Sequence, residues 1–222
     1  MSKMLEANFK KITEKILEEL LKFDELDKRQ LNHMMEMLDR VEFFSGDDNP
    51  EIHDFFVKLI PTIQENLLFL RIQLYMPKTT ESRLFISALY HEIMHILSVG
   101  RLQAVSGTEF TYKCGLRASK VFLENGYLSD KIIIKLENLN EALTDICAEY
   151  FYSIFEEDKY CAKHFINPIM RMCKNTSIED YKGMIVPFML NDEEATQKEL
   201  MLIYGCSSLQ EFEKALKECY LL

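Results

Sequence analysis

Leu89–Ser98 reads LYHEIMHILS. His91 and His95 stand four residues apart, and Glu92 directly follows the first. On a helix, positions i and i+4 share one face with Cβ atoms roughly 5 to 6 Å apart. Two imidazoles so placed can converge on one Zn²⁺ at about 2.0 to 2.1 Å each. Glu92 sits one residue round the helix from His91, too offset to be a third ligand. It is still close enough to take the proton of a zinc-activated water. That is the physical logic of the His-Glu-x-x-His spacing. The same pattern arises by accident in about one of a few hundred chains of this size and ordinary composition. Burying two histidines and a glutamate on an apolar helix without partners would cost several kcal/mol. The surrounding residues therefore decide the reading.

Upstream, in LLFLRIQLYM, Leu70, Ile72, Leu74 and Met76 alternate with Arg71, Gln73 and Tyr75. Alternation predicts a strand with one buried face, and this strand is expected to be the edge that receives an extended substrate. PKTTES then breaks the pattern, with Thr79, Thr80 or Ser82 available to cap the helix that carries the motif. That helix runs to about Val99, with Gly100 placed to stop it. EFTYKCGLR and KVFLENGYLSDKIIIKLE read as short strands, with Asn125-Gly126 at a hairpin tip. Helical spacing returns over about 139–156, 159–174, 192–204 and 209–220, and Ser208 with Glu211 forms a capping box for the last helix. At the N-terminus, about 4–23 and 26–43 repeat apolar residues at helical spacing. SGDDNP (Ser45–Pro50) is the strongest turn signal in the chain. It suggests an N-terminal helical annex over 1–46 followed by the main domain over 47–222, or one continuous domain. EIHDFFVKLI is expected to begin another helix, ending near Pro61.

The chain's 222 residues can bury a real core, and its 48% hydrophobic and 28% charged residues are an ordinary globular mix. Gly (7) and Pro (5) are scarce, which together with the long periodic segments favours a mostly helical α+β protein. A net charge of −10 without a basic run argues against a nucleic-acid partner. No apolar run approaches a membrane span, and charges interrupt the N-terminal segment too often for a signal peptide. The six cysteines show no framework spacing. They read as reduced thiols in a cytoplasmic protein. Oligomeric state is left open.

A catalytic zinc needs a third protein ligand. A metzincin would carry Gly at 98 and His at 101, where this chain has Ser98 and Arg101. His33, His53 and His164 lack any motif around them. The better source is NEALTD, Asn140–Asp145, on a second predicted helix. HEIMH together with NEALTD resembles the gluzincin metallopeptidases, the thermolysin-like zincins, and the compact layout is similar to small bacterial zincins. The resemblance covers about 67–150 in arrangement and about eleven residues in motif. It departs in Thr144, where Ser is commoner, and in a longer gap between His95 and Glu141. It implies a zincin-like fold with a small sheet, a helix bearing His91, Glu92 and His95, and a second helix bearing Glu141 as third zinc ligand. It further implies that Asp145 hydrogen-bonds the outer nitrogen of His91 and that Asn140 supports His95. Glu149, two turns on from Glu141, is the rival ligand within the sequence.

The expected activity is hydrolysis of a peptide or protein substrate, with Glu92 as general base. Tyr127, His164, Arg171 and Tyr181 are the candidate oxyanion donors. Two alternatives come from other classes. One is a zincin-shaped binding or regulatory module without catalysis, the other a helical interaction protein in which the motif is accidental.

Overall fold

The computed structural model describes residues 2–46, 51–64, 67–77, 82–124, 127–133, 136–161, 169 and 176–220. Among them the chain forms α1 (Ser2–Leu20), α2 (Lys28–Asp39), β1 (Val41–Ser45), β2 (Phe56–Gln64), β3 (Leu67–Met76) and α3 (Ser82–Leu97). Then come β4 (Gln103–Ala104), β5 (Glu109–Cys114), β6 (Arg117–Glu124), β7 (Tyr127–Ile132) and α4 (Glu137–Phe155). A 3₁₀ turn (Ile178–Tyr181) leads into α5 (Lys182–Met189), α6 (Glu193–Tyr204) and α7 (Leu209–Tyr220). The class is α+β, mostly helical, with two small sheets.

The first sheet has the order β1-β3-β2. β3 is its centre, parallel to β1 (Phe43 opposite Leu74) and antiparallel to β2 (Leu59 opposite Ile72). The alternation in β3 has its expected consequence. Leu70, Ile72, Leu74 and Met76 are buried. On the other face Arg71 is paired with Glu42, and Tyr75 is stacked between Phe44 and Phe56. The second sheet is an antiparallel meander, β4-β5-β6-β7. The expected hairpin tip at Asn125-Gly126 lies outside the described residues, and the flanking Glu124 and Tyr127 are paired.

Several expectations are corrected. Phe56–Gln64 is a strand, where a helix ending near Pro61 was expected. Val57, Ile60, Thr62 and Ile63 are β-branched and favour the pleated surface. Pro61 is tolerated because β2 is an edge strand, on which a missing N–H can face outward. β3, expected to be an edge strand, is paired on both sides, and the edges of this sheet are β1 and β2. The second N-terminal helix stops at Asp39, and Val41–Ser45 goes into the sheet as β1. Gly100 does not stop α3 by a left-handed turn. The helix ends at Leu97, and Gly100 N–H donates to the Lys113 carbonyl. Most of the helix expected over 159–174 lies outside the described residues, as do Thr79 and Thr80. The expected capping box of α7 is redistributed: Ser208 Oγ accepts from Glu211 N–H, while the Glu211 carboxylate accepts from Ser207.

One buried core runs through the whole described chain. Leu5, Phe9, Ile12, Ile16 and Leu20 of α1 enter it together with Leu89, Ile93, Met94 and Ile96 of α3 and Leu143, Ile146 and Phe151 of α4. The segment read as an annex thus contributes a strand to the first sheet and an apolar stripe to the common core. No described helix is long and apolar enough to cross a membrane.

Candidate metal centre

α3 and α4 pack face to face, and the two motifs meet at their contact. His91 Nε2 lies 3.1 Å from His95 Nε2, and Glu141 Oε2 lies 3.2 Å from each. A tetrahedral ion bonded at about 2.0 Å separates its ligand atoms by roughly 3.3 Å, so the triangle fits zinc. His91 is 1% exposed, whereas the side chains of His95 and Glu141 are 14% and 23% exposed. The group is walled on one side and open on the other. It is the described cluster of His, Cys, Asp and Glu side chains able to hold a metal. Glu149 stands outside it, its pKa raised by burial and then by the charge of Asp145.

The ring orientation of His91 is fixed from behind. Its Nδ1 lies 2.8 Å from Asp145 Oδ1, and the fully buried Asp145 also accepts from the Tyr160 hydroxyl at 2.8 Å. A carboxylate only accepts, so Nδ1 carries a proton, which leaves Nε2 as the nitrogen that would give its lone pair to a metal. Asn140 does a different task from the expected one. Its Oδ1 accepts Leu116 N–H at 2.9 Å and so holds the two-residue turn between β5 and β6. That turn needs Gly115, with φ +59°, because a Cβ there would come within 2.4 Å of Asn140 Oδ1. At the end of α3 the His95 carbonyl loses its helical partner, since Val99 N–H donates to Ile96. The Ser98 hydroxyl and the Cys114 thiol donate to it instead.

The elements are held by distant partners. α4 has no side-chain cap of its own, and Glu213 of α7 accepts Leu139 N–H at 2.7 Å and the Asn138 amide at 2.8 Å. His33 of α2 donates Nε2–H to the Val99 carbonyl at 2.8 Å, just past the end of α3.

A cleft of about 450 Å³ opens over the triangle. His91, Glu92, His95 and Glu141 form its floor. Phe56–Leu59 of β2 lines one part of the wall, and the β5–β6 hairpin lines another through Tyr112, Cys114, Arg117 and Ser119. Glu92 is 3% exposed. A larger cavity of about 730 Å³ lies beside α2, β5 and the end of α3. Among the described residues it holds no cluster of ligating side chains, so chemistry rather than volume singles out the smaller one. Of the expected oxyanion donors, Tyr127 is exposed on β7 and does not line the cleft. Tyr181 is buried against Thr176 and Tyr204. His164 and Arg171 lie outside the described residues.

Without metal the cluster behaves as coupled ion pairs. Burial works to lower the pKa of His91, but hydrogen bonds to Asp145 and Glu141 outweigh it and raise the value to about 9. Burial also opposes the charged form of His95, and Glu141 again outweighs it, holding the pKa well above 6.5. Glu141 is held well below the usual carboxylate range by the two histidines, against the effect of burial. A raised histidine pKa stabilises the fold fully below the unfolded value of 6.5 and loses that contribution as pH rises toward about 9. Chelator-treated protein should therefore melt at progressively lower temperature from pH 6.5 to 9. Metal uptake must release these protons, so zinc affinity should increase over the same window. Melting curves in chelator and a zinc titration at several pH values measure both slopes.

Asp145→Ala removes the acceptor that orients His91. Zinc affinity should fall roughly 10- to 100-fold, read by competition with a chromophoric chelator. Unchanged affinity would release Asp145 from that role.

The chain matches no protein-family model, no curated protein and no solved structure.

Proposed function

We propose that this protein is a zinc-dependent peptidase of gluzincin type, with His91, His95 and Glu141 as metal ligands and Glu92 as general base. The observation that carries the reading is the 3.1–3.2 Å triangle of two imidazole nitrogens and one carboxylate oxygen on the floor of an open cleft. Zinc bound there would supply Lewis-acid polarisation of the scissile carbonyl and a lowered pKa for water. Glu92 accepts the proton of the attacking water as its oxygen bonds to the carbonyl carbon. The same carboxyl group then gives that proton to the amine nitrogen as the C–N bond breaks. Asp145 keeps the His91 ring in register throughout. β2, unpaired on its outer side among the described residues, offers main-chain groups to an extended peptide beside the cleft.

Elemental analysis of purified wild type and His95→Ala is the direct test. About one zinc per wild-type chain and a large loss in the variant are expected, with hydrolysis of a mixed peptide library by the wild type alone. Equal and negligible zinc in both would sink the metal site. Zinc without hydrolysis would leave a zincin-shaped binding module.

A further inference from the structure

Arg117 opens β6 at the wall of the cleft that holds His91, Glu92 and Glu141. Its Nε is sealed from solvent and has no hydrogen-bond partner. No ion pair or hydrogen bond of its side chain occurs among the described residues. A guanidinium stays charged at any working pH, and leaving a buried donor unsatisfied is costly. The chain has 36 acidic residues against 26 basic ones, so a cation left without an acidic partner runs against the overall charge balance. Within the cleft, Glu141 is taken by the two histidines.

The position of Arg117 is also tightly fixed. It faces Cys114 across the two-residue turn. That turn is pinned through Leu116 N–H to Asn140, the residue preceding Glu141. The root of the guanidinium is thereby tied to the helix that carries the metal ligand. Ser119, two residues on along the same strand face, and Tyr112 of β5 line the cleft beside it.

The geometry points to Arg117 as the specificity-determining residue of the cleft, taking a carboxylate of the substrate, from either an acidic side chain or a free C-terminus. This inference rests on the peptidase reading above for its substrate. With Nε closed to solvent, the two Nη–H groups are the edge of the guanidinium left to match the two oxygens of a carboxylate. A single oxyanion oxygen would satisfy only part of that edge.

Three pools of fluorescent peptides of equal length, with the same degenerate apolar positions, separate the possibilities. One carries a central Gln and an amidated C-terminus. The second carries a central Glu and an amidated C-terminus. The third carries a central Gln and a free C-terminal carboxylate. Binding is read by fluorescence anisotropy on zinc-supplemented Glu92→Gln protein, and on the same protein with Arg117→Gln or Arg117→Lys added. Melting curves check that the added substitutions leave the fold intact. At least one carboxylate pool should bind about 10- to 100-fold more tightly than the neutral pool, and the winning pool identifies the source. Arg117→Gln should abolish the preference and leave the neutral pool unchanged. Arg117→Lys, which keeps the charge without the fork, should lose most of it. Equal affinity of all three pools, no binding of any, or a preference that survives both substitutions would overturn the inference. An Arg117-dependent preference in a protein whose wild type hydrolyses nothing would keep Arg117 as a carboxylate site and remove the peptidase reading instead.

Discussion

Glu92→Gln is expected to retain zinc and fold while losing hydrolysis by about 10²- to 10⁴-fold. Glu92 is on the third turn of α3, 3% exposed, at the floor of the cleft beside His91, His95 and Glu141, the proposed metal ligands. Glutamine has nearly the same shape, so packing around the position should survive. Its amide has no basic oxygen able to accept a proton, so the attacking water must lose its proton without help. Hydrolysis of a library peptide, zinc content and a melting curve are measured on the same preparations. A variant that cleaves as fast as wild type while holding zinc would refute Glu92 as base. Wild type and variant that both hold zinc and both leave every peptide intact would mean that the fold serves binding.

Legibility from sequence followed the range of the interactions involved. HEIMH and NEALTD could be placed on helices because i,i+4 spacing is a local property, and α3 and α4 span both motifs. β3 was readable because its sequence alternates, Ile72 and Leu74 against Arg71 and Tyr75, although Gln73 on the polar face is buried as well. β2 was misread for the opposite reason. Phe56, Val57, Leu59, Ile60 and Ile63 put apolar residues on both of its faces, so the period of two is blurred. β1 follows α2 after a single residue, Arg40, with no turn signal to separate them. The supports of the site depend on which loops meet and left no local trace. Tyr160 reaches Asp145 from beyond the end of α4, Glu213 caps α4 from the last helix, and Asn140 holds the turn before Arg117. The resemblance placed Asn140 beside His95; the hairpin turn that its amide oxygen in fact secures is a tertiary feature, invisible in the motif.

A chain beginning at residue 47 should fail to fold cooperatively and should hold far less than one zinc. The turn cluster at Ser45–Pro50 invites the opposite expectation, that 1–46 is a detachable annex. The packing argues against detachment. Leu5, Phe9, Ile12, Ile16 and Leu20 of α1 are buried in the core that also contains Leu89 and Ile93 of α3. Each such side chain contributes about 1.5–3 kcal/mol when buried, so their joint loss is comparable to the whole stability of a domain, roughly 5–15 kcal/mol. The cut also removes β1, which leaves one edge of β3 without its hydrogen-bonded neighbour. It removes His33 as well, whose ring donates to the Val99 carbonyl just beyond α3. Damage at that point reaches His95 through the last turn of α3. Near-ultraviolet circular dichroism, thermal melting and elemental analysis of the shortened chain read the three consequences separately. A soluble fragment with a sharp melting transition and a full zinc complement would show that 47–222 folds alone and that α1 packs on a core already complete.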